Sequence, residues 1–270
     1  MMRVAAVQMA SGPSISGNLI EAERHIRRAA LAGARLVVLP ENFALMPMRE
    51  SDILSAREGD GEGRVQTFLA RQARAHCIWI VGGTIPLVAS DPDRGRAASL
   101  LFCPAGERVA RYDKIHLFDA QVNDARGCYR ESAQVEPGSQ PVVVDTELGR
   151  IGMSVCYDLR FPELYRELAG RGAELLVVPA AFTAVTGQAH WEVLLRARAV
   201  ENLCYVIAAA QGGYHVNGRE THGDSLICDP WGAVVDRLPR GSGVVMASID
   251  PAHQAQIRAH LPVLAHRRLV

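Results

Sequence analysis

The chain is poor in several features that would assign it elsewhere. No segment approaches the ~18 apolar residues of a membrane-spanning helix. The opening Met1-Met2-Arg3-Val4-Ala5-Ala6-Val7 is cut off by Gln8 before it forms the apolar core of a secretory signal. Lys+Arg and Asp+Glu are both 29, and no segment joins basic residues to aromatics, which make up only 6% of the chain. A nucleic-acid partner is therefore not expected. Arg24, Arg27 and Arg28 share a helix with Glu21 and Glu23 and read as a solvated face, and His266-Arg267-Arg268 is too short for a polybasic anchor. The six cysteines contain no CxxC pair, so no zinc site is expected, and no other metal or cofactor is implied. Cys77, Cys103, Cys204 and Cys228 lie in apolar runs and are expected as buried free thiols of a reduced, cytoplasmic protein.

What is present is a 270-residue chain with 49% hydrophobic content, enough for one α/β domain across 1–270. Strand and helix signals alternate. Arg3–Gln8 reads as a strand, and Asn18 with Glu21 forms a capping-box pattern for a helix that Gly33 ends. Strands follow at Leu36–Leu39, Ile78–Gly82, Ala98–Cys103, Val109–Lys114, Val142–Asp145, Arg150–Val155, Leu175–Val178, Cys204–Ala210, Leu226–Cys228, Val234–Leu238 and Val244–Ile249. Helices are expected at Val65–Ala75, Pro162–Ala169 and His190–Asn202. Ser11–Ser16, Asp91–Arg96 and Gln121–Glu136 read as exposed loops. Gly33-Ala34-Arg35-Leu36-Val37-Val38-Leu39-Pro40 is echoed by Gly172-Ala173-Glu174-Leu175-Leu176-Val177-Val178-Pro179. The echo suits two similar half-sheets packed face to face with helices outside, an α-β-β-α sandwich that can bring strand ends from both halves to one rim.

Three residues at strand ends carry chemistry. Cys156 ends an apolar run and precedes a turn and a proline-started helix, a place that favours a thiolate and a developing oxyanion. Glu41 follows Leu36–Pro40, and Lys114 ends the strand from Val109. Nucleophile, base and cation are what acyl transfer through a thiol needs, with the Tyr157 N–H as a second oxyanion donor. An unperturbed thiol at ~8.5 facing a carboxylate at ~4.3 calls for a site that raises the base or lowers the thiol. A Cys–His arrangement stays open through His116, His190 or His222, although no fixed spacing ties them to Cys156.

Leu39-Pro40-Glu41-Asn42-Phe43, Tyr112-Asp113-Lys114-Ile115-His116-Leu117-Phe118-Asp119 and Cys156-Tyr157-Asp158-Leu159-Arg160-Phe161-Pro162-Glu163 resemble, in that order, the signature segments of the nitrilase superfamily of carbon–nitrogen hydrolases. The resemblance implies the α-β-β-α sandwich, a small-molecule amide substrate, catalysis by Glu41, Lys114 and Cys156, and homodimers or larger homo-oligomers. It also implies an assisting Glu131 in Tyr129-Arg130-Glu131-Ser132. The segments at 189–202, 208–212 and 261–268 resemble the Nit subgroup, and within it the deaminated glutathione amidases. Related ω-amidases, nitrilases, thioester acyltransferases and a non-hydrolytic interaction protein are the alternatives.

An anionic 2-oxo acid needs a cation and hydroxyl donors. Arg160, Phe182 and Thr183 are the candidate substrate contacts, with Arg160 alternatively pairing Asp158 or Glu163. Trp191 and Trp231 read as core, and Met46-Pro47-Met48 as pocket wall or turn. Asp224 stands where the subgroup carries histidine, which touches the pocket's details.

Overall fold

The computed structural model describes residues 1–49 and 51–269. Its first half runs β1 (Met2–Gln8), α1 (Ile15–Leu31), β2 (Ala34–Val38), α2 (Ser51–Ser55), α3 (Arg64–His76), β3 (Trp79–Val81), β4 (Ile85–Val88), β5 (Gly95–Phe102) and β6 (Arg108–Asp113). A short hairpin, β7 (Asp119–Gln121) and β8 (Cys128–Arg130), leads to the second half: β9 (Val142–Thr146), β10 (Gly149–Met153), α4 (Pro162–Gly170), β11 (Leu175–Ala180), α5 (Ala184–Asn202) and β12 (Tyr205–Ala210). A second small hairpin, β13 (Gly212–Tyr214) and β14 (Glu220–His222), precedes β15 (Ser225–Cys228), β16 (Val234–Leu238), β17 (Gly243–Ile249) and α6 (Pro251–His260).

Two sheets form. In the first, β17, β1, β2 and β3 lie in order; β3 and β4 share one edge of β5, and β6 takes the other. The second runs β16-β15-β12-β11-β10-β9. Alternate side chains of each strand face opposite ways. Val4, Ala6, Leu36 and Val38 therefore point at the second sheet and join Ile151, Met153 and Val177 in one core. Ala5, Val7, Val37 and Leu39 point outward and are covered by Ile26 and Ala29 of α1 and Leu69 and Ala73 of α3. On the far side, Leu164 and Leu168 of α4 and Trp191 and Leu195 of α5 cover the second sheet. The result is the expected four-layer α-β-β-α sandwich. Strands buried on both faces need no polar alternation, which is why they appear as uninterrupted apolar runs.

Several local expectations change. Ser14, not Asn18, caps α1; Asn18 is buried and turns its amide to Gly12 O (2.7 Å) and Ala44 O (2.8 Å). α5 begins at Ala184, capped by the Thr183 hydroxyl, six residues before the expected start. The 121–136 loop contains β8 and a 3-10 turn at Glu131–Ala133. Cys77 is exposed at the left-handed C-cap of α3, and Cys103 is half-buried just after β5; only Cys204 and Cys228 of that group are buried. Trp231 projects from a turn and is 64% exposed, whereas Trp191 is fully buried.

Candidate active site

The parallel strands β1 and β2 of one sheet and β10, β11 and β12 of the other end at a common rim. There Met9 and Gln211 bridge the two sheets, with Gly212 N donating to Met9 O (2.8 Å). Crevices at the carboxyl ends of parallel strands are where open α/β sheets bind ligands.

Glu41 stands just beyond β2, on a turn that Pro40 begins. Asn42 takes a left-handed backbone and donates its N–H to Thr84 Oγ1 (2.9 Å). Gly83, at φ +53°, passes so close beneath this turn that a Cβ would lie 2.0 Å from Pro40 O. Gln211 Nε2 donates to Glu41 O (3.0 Å) and Ser11 Oγ (2.8 Å), anchoring the turn to the opposite sheet. Lys114 follows β6; its N–H donates to Ala97 O (3.0 Å) and its carbonyl accepts from Gly138 N (2.8 Å).

Cys156 follows β10 with φ +48°, a left-handed conformation rare for a side-chain-bearing residue, and opens a 3-10 turn, Cys156–Arg160. The fully buried Asp158 holds this turn. Its carboxylate accepts from Val155 N (2.8 Å), Tyr112 Oη (2.7 Å) and His116 N (3.0 Å), and lies 2.7 Å from His116 Nδ1. One carboxylate thereby locks the Cys156 turn to the Lys114 segment. The sequence reading had not assigned it that part. The Tyr157 N–H has no acceptor among the described residues, as the first turn of a helical segment leaves it.

The structure brings Glu41, Lys114, Glu131 and Cys156 together. The Lys114 ammonium is 1% exposed and donates to Glu41 Oε1 and to both oxygens of Glu131, each at 2.8 Å. Glu131 Oε2 also accepts from Phe118 N (2.6 Å). Glu41 and the Ala181 N–H lie close enough to the Cys156 thiol to act on its ionisation. Burial pushes that thiol well above its usual range, the Glu41 charge adds to the rise, and Lys114 offsets only part of it. Burial alone would raise Glu41, but Lys114 and the neighbouring thiol bring it below the usual carboxylate value. Glu131 goes the other way: burial and the Glu41 charge outweigh the pull of Lys114. Burial opposes the Lys114 charge, but the two carboxylates hold its ammonium well above the ordinary lysine value. The resting pair is thus a neutral thiol beside an ionised carboxylate, the reverse of the adjustment the sequence reading called for.

These groups line a cavity of about 490 Å³. Tyr157, Arg160, Phe182, Thr183, Met46 and Met48 all line it. Arg160 makes no ion pair with Asp158 or Glu163 among the described residues; it lies over Phe182 (5.2 Å) and contacts His190 Nδ1 (3.1 Å). Thr183 is buried, and its hydroxyl is shared with the α5 cap. No histidine lines the cavity among the described residues, which removes the geometry of a Cys–His pair. Asp224 lies outside the cavity wall, where Arg237 pairs with it. Thr84, Tyr129 and Arg219 also line the cavity and were missed; lone residues in polar loops carry no periodic signal.

The description "Carbon-nitrogen hydrolase" matches residues 3–259. The chain belongs to the carbon-nitrogen hydrolase family. It is 44% identical over 269 residues to the deaminated glutathione amidase of Synechocystis, covering 98% of each chain. It is 43% identical over 268 residues to that of Yersinia enterocolitica, covering 99% of this chain and 93% of the relative. Among solved structures, the NitFhit protein of C. elegans superimposes with a TM-score of 0.91 at 37% identity, over 99% of this chain and 65% of that longer one. As a carbon–nitrogen hydrolase the protein is an amidase, and among its described residues no helix is long and apolar enough to cross a membrane.

Proposed function

We propose that the protein hydrolyses deaminated glutathione, cleaving the amide between its 2-oxoglutarate unit and cysteinylglycine through a Cys156 thioester. The observation that carries this reading is the Lys114 ammonium, clamped by Glu41 and Glu131 beside the Cys156 thiol in an arginine-lined cavity. The cavity volume falls within the ~300–1,000 Å³ typical of small-molecule sites.

Cys156 attacks the amide carbon while its proton passes to Glu41. Because the resting thiol lies above its usual range and Glu41 below, this transfer is uphill until negative charge moves onto the carbonyl oxygen. There Lys114 Nζ and the Tyr157 N–H meet it. Transfer and attack are therefore concerted. The protonated Glu41 then gives its proton to the departing amine, leaving the acyl group on sulfur. Glu41 next takes a proton from water, the hydroxide oxygen bonds the thioester carbon, and 2-oxoglutarate leaves as the thiol is restored. Glu131, bonded to Lys114 through both oxygens, fixes where the ammonium points. Arg160, above Phe182 and near Thr183, faces the 2-oxo acid carboxylate.

The wider reading is one carbon–nitrogen hydrolase domain over 1–270, in the cytoplasm, taking a small-molecule amide without nucleic-acid or membrane partners and assembling as a homodimer or larger. Exposed Val193 and Val200 on α5, with Trp231, support the assembly.

The test is kcat/KM for deaminated glutathione beside 2-oxoglutaramate, which shares the acyl half and releases ammonia. Preference for the peptide-bearing substrate is expected, and Cys156→Ala is expected to abolish turnover while staying folded. Preference for 2-oxoglutaramate would move the protein to the ω-amidases. Turnover surviving in Cys156→Ala would end the thioester reading.

A further inference from the structure

Arg219 takes part in none of these steps. It ends the turn between β13 and β14, and its backbone is pinned there. Its N–H donates to Asn217 Oδ1 (3.0 Å), and its carbonyl accepts from His215 N (2.8 Å). Asn217 Nδ2 donates to Pro47 O (2.7 Å), tying the hairpin to the segment that follows Glu41. The guanidinium lies over the Tyr129 ring at 5.6 Å and donates through Nη2 to Ala181 O. Its Nε–H is buried without an acceptor, and no carboxylate lies within ion-pair distance of it among the described residues. The guanidinium lines the cavity with its charge unmatched by a carboxylate and its Nη1 bonded to nothing among the described residues, so it offers a cation and free N–H groups to whatever enters. A carboxylate, whose two oxygens match two parallel N–H groups, is the ligand that fits such a cation.

Arg160 and Arg219 flank the 181–182 segment and stack on different rings. Arg160 lies over Phe182 and Tyr157, and Arg219 over Tyr129 on the β7–β8 hairpin. The amine that leaves must meet the Glu41 carboxyl that protonates it, so the leaving chain runs out on the Glu41 side. The Arg219 hairpin is fastened to that side, and its positive charge acts on Glu41.

We propose that Arg219 is a specificity-determining residue that receives a carboxylate carried by the leaving amine, so that the site selects amides whose amine half ends in an acid. The inference rests on the amidase reading and adds to it which half of the substrate is recognised, and by what.

The experiment compares deaminated glutathione with the same compound amidated at its glycine carboxyl, on the full-length protein, its Arg219→Gln variant and its Arg219→Lys variant. Losing a charge-assisted pair, the wild type is expected to favour the free acid by about 10- to 100-fold in kcat/KM. That preference is expected to collapse to near unity in Arg219→Gln and to fall between in Arg219→Lys, which keeps the charge and loses the fork. Equal wild-type rates on acid and carboxamide would overturn the inference while leaving the amidase intact, and this arm needs no folded variant. An undiminished preference in Arg219→Gln would overturn it as well. Hydrolysis of neither compound would remove the deaminated-glutathione reading, and the inference with it, while the amidase chemistry of the family stands.

Discussion

At the scale of single residues, the site sets two demands of Glu41 against each other. Its negative charge helps keep the Cys156 thiol protonated, and in the proposed mechanism its oxygen is the proton acceptor during attack. Glu41→Gln separates them. The thiol should then ionise more easily, so the pH midpoint for its alkylation by iodoacetamide falls, yet turnover should drop by about 10²–10⁴-fold for want of a base. A variant that alkylates faster and also turns over faster would show that Glu41 only tunes the sulfur. Asp158 acts at a remove. Its carboxylate accepts three donors in full burial, and the amide of Asp158→Asn would turn a donor toward one of them. The expected cost is about 2–4 kcal/mol in chemical denaturation. The Cys156 turn loosens as well, so kcat should fall even at temperatures where the variant is folded.

At the scale of elements, the Glu41 turn depends on a residue distant in sequence. Gly83→Ala would press a methyl group onto Pro40 O and require a left-handed alanine. We expect a loss of about 2–4 kcal/mol by thermal or urea unfolding, with reduced activity from a displaced Glu41. Wild-type stability in that variant would mean the turn yields easily. Such dependences also show what could be read from the chain beforehand. The buried strands were legible because burial on both faces leaves contiguous apolar runs; Pro40 closes the first, but β11 runs on through Pro179 to Ala180, beyond the expected end at Val178. Glu41 and Cys156 were legible because each follows such a run within a distinctive segment, and Lys114 through its segment alone, since β6 before it is polar and partly exposed. The hairpins β7–β8 and β13–β14 were not, since three-residue strands have no room for a period. Nor was Arg219, whose surroundings are polar loop until the hairpin folds over the cavity. Asn18 misled because its side chain satisfies two loop carbonyls instead of a helix start. α6 had a readable start in Asp250-Pro251, where the Asp250 carboxylate caps the helix and proline fills its first position, and it went unassigned.

At the scale of the whole molecule, the buried Glu41–Lys114 pair ties function and stability to pH. Glu41 is depressed below its usual 4.5, so its contribution to stability is complete above that pH and is lost as pH falls through the folded value. Lys114 is raised above its usual 10.5, so its contribution is complete below that pH and is lost only as pH rises through the folded value. The thiol also stays protonated beyond its usual 9.0. The profile of kcat/KM should therefore be flat through neutrality up to about pH 9, with an acid limb that Glu131, raised above 4.5, opens and Glu41, depressed below 4.5, completes. Denaturation midpoints of wild type and Glu41→Gln should converge as pH drops below 4.5. An acid limb near neutrality would assign the ionisation to another group.

The pairing of β1 with β17 bears on how the chain is made. Met2 lies opposite Ile249 and Gln8 opposite Gly243, so β1 is completed by a strand that is made long after it. Five of the seven β1 residues are buried in the finished sheet. At ribosomal rates of roughly 5–20 residues per second, that edge stands open for tens of seconds after it emerges. An unpaired apolar edge invites pairing with another chain. Growth temperature and chaperone supply should therefore govern the soluble yield of this protein more strongly than its equilibrium stability does.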